Sequence, residues 1–156
     1  MYPNNPEVAD LKSGPTPDQD QQWSTGLYDC WEDPKNCLIA LFCPCITFGL
    51  TAEIIDRGNL PCQIQGLVYY AMARIGCGWL YGGIYRSKMR QHLSLPEAPC
   101  SDWLLHCCCC VCAITQEYRE LKNRGANPSL GCWKGNVEKW KSEGLKPPIA
   151  EPGMAR

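Results

Sequence analysis

The sequence predicts an all-α membrane protein: a two-span helical hairpin, a Cys-rich helix beside the membrane, and several copies in one homo-oligomeric assembly. Three observations predict it. Polar ends surround an apolar centre, in which Cys37 to Ala52 carries no charge and Gly58 to Tyr85 carries only Arg74. Small residues recur at helical spacing in the second run. Thirteen cysteines lie in a chain of 156 residues with a net charge of −1.

Residues 1–22, rich in Pro, Asn, Asp and Gln, are expected to be a disordered tail. Such a stretch buries too little apolar surface to offset its ordering entropy. It lacks the basic start and apolar core of a secretory signal. With an odd cysteine count and five thiols crowded into "HCCCCVC", reduced thiols facing a reducing cytosol are expected rather than a disulfide framework. The domain proper is expected over 23–124, and 125–156 as a C-terminal tail. In that tail "GCWKGNVEKWKSEG" reads as a short helix packed by Trp133 and Trp140.

The first span is expected over about 37–55 and the second over about 63–84, since a helix needs about 20 mostly apolar residues to cross a bilayer. Gly78 and Gly82 are four apart, as are Ala73 and Cys77. Small residues on one helix face let backbones approach closely in lipid. Arg86, Lys88 and Arg90 follow directly, and positive charge beside a span marks the cytoplasmic side. Both termini are then cytoplasmic, with Asp56 to Cys62 as the outer turn. Arg74 must face protein, water or a headgroup.

Within "CLIALFCPC", Pro44 lacks an N–H and crowds the preceding turn, so a helix through Cys43-Pro44-Cys45 must kink or unwind. Soft sulfur beside freed carbonyl oxygens suits zinc and its softer relatives such as cadmium. Cys37, Cys43 and Cys45 are the candidate ligands there, although Cys is as readily a small hydrophobe. Gly49 and Glu53 share a helix face and are candidate pore-lining positions. Asp56 follows three residues later and could draw a divalent cation electrostatically; the bland alternative pairs Glu53 with Arg57.

A helix is expected over 101–123, capped by Ser101 and ended by Gly125 with Pro128. Along it Cys108, Cys109 and Cys112, with His106 and Cys110, fall three or four apart. Three readings stand for this cluster: metal capture, thioester acylation and core packing. The neighbouring "QEYRELKNR" reads as a solvated face. No catalytic constellation and no nucleotide-binding glycine loop stand out, so no enzyme activity and no obligatory cofactor are expected. The charge balance offers nothing to nucleic acid.

Together, "WSTGLYDCWEDPKNCLIALFCPCITFGLTAEIID", "IYRSKMRQHL" and "DWLLHCCCCVCAITQEYREL" resemble the PLAC8 domain, over about residues 23–122. They are most similar to the plant cadmium resistance and cell-number-regulator group. The carrying elements are Cys37, Leu38, Cys43, Pro44 and Cys45, followed by Gln116 to Leu121. Many relatives have a second cysteine where this chain has Leu38. The resemblance implies a small plasma-membrane protein that moves zinc or cadmium, with Cys37, Cys43 and Cys45 foremost and Glu53 as the acidic position. It also implies a rival, a Cys-rich scaffold governing cell number, beside simple chelation. Two spans cannot enclose a path alone, so transport requires a homo-oligomer around it.

Overall fold

The computed structural model describes residues 22–97, 100–130 and 133–144. The tail expected over 1–22 lies outside them except for Gln22. All regular elements among the described residues are helical. They are α1 (Pro34–Phe42), α2 (Pro44–Ile55), α3 (Cys62–Arg74), α4 (Gly78–Leu93), α5 (Asp102–Cys108), α6 (Cys110–Asn123) and α7 (Trp133–Glu143).

Helix α1 starts where the sequence supplies both halves of an N-terminus. The Asp33 side chain accepts from the Asn36 N–H at 3.1 Å. Pro34 follows, where its missing N–H costs no bond. Pro44 then ends α1 and starts α2. A residue before proline is pushed out of the helical region, and Cys43 sits at φ −139°, ψ 72°. The outcome is more than a kink: α1 and α2 meet at 113°. By length and composition the bent pair could cross a membrane, but no single described helix is long and apolar enough to do so. The span expected over about 37–55, with a kink or unwinding at Cys43-Pro44-Cys45, is therefore two helices in a hook rather than one spanning helix.

The expected span over 63–84 is also broken. Gly76 takes φ +83°, and α3 closes with Cys77 N–H to Met72 C=O at 2.8 Å and Gly76 N–H to Ala73 C=O at 3.1 Å. This is the paired-bond C-terminus that glycine favours. The glycine at 76 overrides the hydropathy of the run. Helix α4 then continues beyond the expected end and carries Arg86, Lys88 and Arg90 within it.

Helices α2 and α3 make the most extensive contact, through two glycines. A Cβ on Gly49 would collide with the Cys62 carbonyl and approach the Gly66 backbone at 3.1 Å. A Cβ on Gly66 would meet the Cys45 carbonyl at 2.7 Å. Phe48 of α2 packs beside this crossing, stacked on Tyr69 at 4.3 Å with Tyr81 and Tyr85 at its edges. Close approach by small residues also occurs in the second run, but against protein: Gly82 faces the His106 ring and Gly83 faces Trp103.

The helix expected over 101–123 exists as two. Ser101 caps α5, its Oγ accepting from Leu104 N–H at 3.3 Å. The chain breaks at Cys109, whose φ −146°, ψ 71° nearly repeat the backbone of Cys43. No proline stands here. Instead Cys109 is joined to Cys112 by a disulfide, with Cα atoms 5.4 Å apart. That corrects the expectation of wholly reduced thiols. Gly125, at φ +91°, ends α6 as expected. The short helix of the C-terminal segment forms as α7, with Trp133 and Trp140 edge to face at 5.4 Å. It is docked, since Trp140 Nε1 donates to the Gly125 carbonyl at 2.9 Å.

The glycine crossing leaves no room for a side chain. Gly49→Val or Gly66→Val should destabilise by about 1–3 kcal/mol or more through overpacking. Ala71→Val, on the exposed side of α3, should change stability by less than about 0.5 kcal/mol. Thermal unfolding followed by the helical circular-dichroism signal in mild detergent reads the difference.

Candidate functional site

The carboxylates expected to meet a metal are occupied within the chain. Glu53 is buried. Its Oε2 accepts from the Cys62 N–H at 2.7 Å and its Oε1 from the Trp133 N–H at 3.1 Å. Those N–H groups begin α3 and α7, so one carboxylate satisfies two helix N-termini, where negative charge is favoured. Asp56 is similarly engaged. Its Oδ2 accepts from Gln65 Nε2 at 2.6 Å and from the Tyr85 hydroxyl, and its Oδ1 pairs with Lys88 Nζ at 3.2 Å. Gln65, with no exposed surface, also accepts from the Tyr81 hydroxyl at 2.6 Å. Gly49 is taken up by the α2–α3 crossing.

The thiols are distributed along the hooks rather than gathered. Cys37 is half-buried on α1, and Cys30 Sγ is 4.0 Å from Thr115 Oγ1. Cys43 is exposed at the α1–α2 corner, and Cys107 and Cys108 are exposed at the end of α5. Cys45 stands in the first turn of α2 and Cys110 begins α6, and these two helices pack against each other. Cys45 also lines an open apolar groove of about 360 Å³ with Ile46, Leu50, Gly66, Leu67 and Tyr70. Among the described residues, no three His, Cys, Asp or Glu side chains stand together as a metal site. Cys37, Cys43, Cys45, Glu53 and Asp56 are thus not assembled around one point in the single chain, nor are Cys108, Cys109 and Cys112.

The densest polar constellation was not singled out by its sequence. Arg86, with no exposed surface, pairs through Nε with Asp102 and through Nη1 with Glu117, both at 3.3 Å. Its Nη2 donates to Gln116 Oε1 at 2.7 Å, and its guanidinium lies 4.2 Å from the centre of the Trp23 ring. His106 Nε2 is 2.7 Å from the same Glu117 oxygen, and Arg90 Nη2 grips Asp102 at 2.6 Å. The segment read as a solvated face is mostly the reverse: Thr115 to Leu121 are all buried. Gln116 Nε2 donates to the Thr25 carbonyl, Arg119 Nη2 to the Gly26 carbonyl, and Glu120 Oε2 accepts from Ser24 N–H and hydroxyl. The polar groups of α6 thereby hold residues 24–26. The positive flank read in "RSKMR" is likewise neutralised, Arg86 and Arg90 by Asp102, and Lys88 by Asp56. Only the i, i+4 spacing of Arg86 and Arg90, interleaved with Tyr85 and Met89, hinted at burial.

Apolar side chains, by contrast, face outward in number. Phe42 is 79 % exposed, Leu67 67 % and Ile75 72 %, with Leu38, Leu41 and Ile46 also exposed along the first hook. The exposed thiol Cys43 sits at the corner of that hook, and Cys107 and Cys108 end α5, where Trp103 and Leu104 are also exposed. The arrangement can present soft sulfur at corners of an apolar surface.

Arg86→Met should cost about 3–5 kcal/mol, because it removes the buried cation that Asp102 and Glu117 share and leaves them only Arg90 and His106 as partners. Adding Glu117→Gln should recover part of that loss. Non-additivity in a double-mutant cycle on the unfolding midpoint measures the coupling.

A pH dependence follows from His92, whose Nδ1 lies 3.2 Å from Arg57 Nη2. Burial first, then Arg57 and Lys88, hold its pKa below the usual 6.5, with Asp56 opposing. The unfolded chain therefore takes up the proton first as pH falls below about 6.5, and stability drops with it. His92→Gln should flatten the unfolding midpoint between pH 7 and 5 relative to the parent chain.

Comparison with known proteins completes the site. The PLAC8 family profile matches residues 23–120. The chain is 48 % identical, over its whole length and the whole of the relative, to Protein PLANT CADMIUM RESISTANCE 12 of Arabidopsis thaliana. It is 51 % identical to Protein PLANT CADMIUM RESISTANCE 9 of the same plant, over 86 % of this chain and 90 % of that one. To Cell number regulator 1 of Zea mays it is 51 % identical over 76 % of this chain and 62 % of that one. No solved structure matches. The chain belongs to the PLAC8 family.

Proposed function

We propose that this PLAC8-family chain carries zinc or cadmium outward across the plasma membrane and so confers metal tolerance, as several copies around a shared path with both termini cytoplasmic. The observation that carries the reading is the first hook. Its corner exposes the Cys43 thiol between helices that together are long and apolar enough to cross a bilayer, and Leu38, Leu41, Phe42 and Ile46 face outward from them. Relatives named for cadmium resistance support it. Sulfur is the donor that soft divalent ions prefer.

The ligand set on this reading is completed between copies. Among the described residues of one chain no three donors gather, and Glu53 and Asp56 are engaged by neighbouring helices. The exposed sulfurs of Cys43, Cys107 and Cys108 are the groups available for capture, with Cys45 and Cys37 deeper along the hook. Incomplete sites also suit release, since conduction needs binding weak enough to leave. The rival reading, a membrane scaffold governing cell number, draws on the relative of that name.

Purified chain in liposomes loaded with a zinc-sensitive dye tests this. The triple variant Cys43→Ser, Cys107→Ser, Cys108→Ser touches only exposed thiols and should keep its fold while losing most of the flux. Unchanged flux would remove these thiols from the mechanism. No flux in the parent chain despite cadmium binding would leave a chelator, and neither flux nor binding would leave the scaffold.

A further inference from the structure

The bond between Cys109 and Cys112 joins the N-cap of α6 to its third helical residue. It closes a loop of one helical turn. Such a short loop removes little freedom from the unfolded chain, so the bond is a poor structural staple. The α5–α6 break is held independently, by Ser101, by the His106–Glu117 contact and by the Arg86 pairs. Both sulfurs belong to half-buried residues, within reach of a small reagent. Cys107, Cys108 and Cys110 stand beside them unbonded. Cys109 is the N-cap of this 14-residue helix, beside first-turn N–H groups that have no intrahelical acceptor, and its side chain makes no cap hydrogen bond.

We infer that Cys109 and Cys112 are a reversible dithiol–disulfide pair, and that closing it withdraws two sulfurs from soft-metal capture. The second half rests on the metal reading above; the first does not. Sulfurs bonded to each other carry no thiolate charge to offer a cation, so oxidation and metal binding exclude one another at this pair. The co-reactant is a small-molecule disulfide–thiol couple. In closing, one cysteine thiolate attacks the small disulfide and expels one thiol. The second cysteine then displaces the other thiol. Two electrons pass from the pair, its two protons are released or taken by the departing thiols, and one small disulfide becomes two thiols. Opening runs the same steps backward.

The test uses the full chain equilibrated in graded ratios of reduced to oxidised glutathione, then alkylated and mapped by mass. The reduced protein should gain two alkylated cysteines over the mildly oxidised one, at 109 and 112. Each of Cys109→Ser and Cys112→Ser should abolish that step while keeping the helical signal. Cadmium bound per chain, read by thiolate-to-metal absorbance, should fall on oxidation. If no Cys109–Cys112 peptide forms, or the bond resists every glutathione ratio, the pair is overturned. If reduced and oxidised chains bind equal, non-zero cadmium, the withdrawal is overturned. If the reduced chain binds none, the metal reading fails too, while the alkylation count still decides the pair.

Discussion

A guanidinium cut off from water must be met by charge and hydrogen bonds on every side, because an unpaired buried ion is among the costliest defects a protein can carry. Arg86 imposes that demand on the whole domain. Its partners come from three places in the chain: Asp102 on α5, Gln116 and Glu117 on α6, and the ring of Trp23 ahead of the first helix. Satisfying one side chain therefore fixes α4, α5 and α6 against one another and seats the N-terminal segment over them. Gly82 belongs to the same constraint, since any side chain there would displace His106, whose Nε2 contacts Glu117.

Glu53 and Asp56 follow the same logic at the other end. Glu53 supplies the missing acceptor for the first N–H of α3 and of α7. Asp56 ties the turn after α2 to α3 and α4. The acids inside the apolar centre are thus joints between helices. This moves the chemistry a metal would find onto sulfur. The carboxylates are held by bonds whose loss would unpack the chain, whereas the corner thiols have no such duty.

What could be read from residues follows from how local each cause is. Pro44 breaks a helix wherever it stands, so the break at Cys43 was legible; its 113° angle depends on packing and was not. Ser101, Gly125 and the paired tryptophans of α7 act within a few residues, and each performed as read. Gly76 is equally local, but the apolar run on both sides of it masks the stop that its positive φ supplies. The break at Cys109 has no local breaker; it repeats the Cys43 backbone where α5 and α6 fold back on shared partners, Asp102 and Glu117 on Arg86 and His106 on Glu117. Arg86 and the buried face of α6 were illegible for the opposite reason. Their partners lie roughly 15 to 95 residues away in sequence, and charge alone reads as solvated until a distant opposite charge arrives.

The exposed apolar side chains set the remaining condition. Single outward leucines are ordinary, but a hook carrying Leu38, Leu41, Phe42 and Ile46 on its outside, beside Leu67 and Tyr70 at an open groove, is more than an isolated domain leaves to water. Something apolar must cover it. On the proposed reading that cover is lipid and neighbouring copies together, and it explains why donors are incomplete in one chain. A corner thiol on an apolar surface meets another only when two such surfaces meet. Assembly would then create the metal path, and the Cys109–Cys112 pair, at the start of α6, would set how much sulfur that path contains.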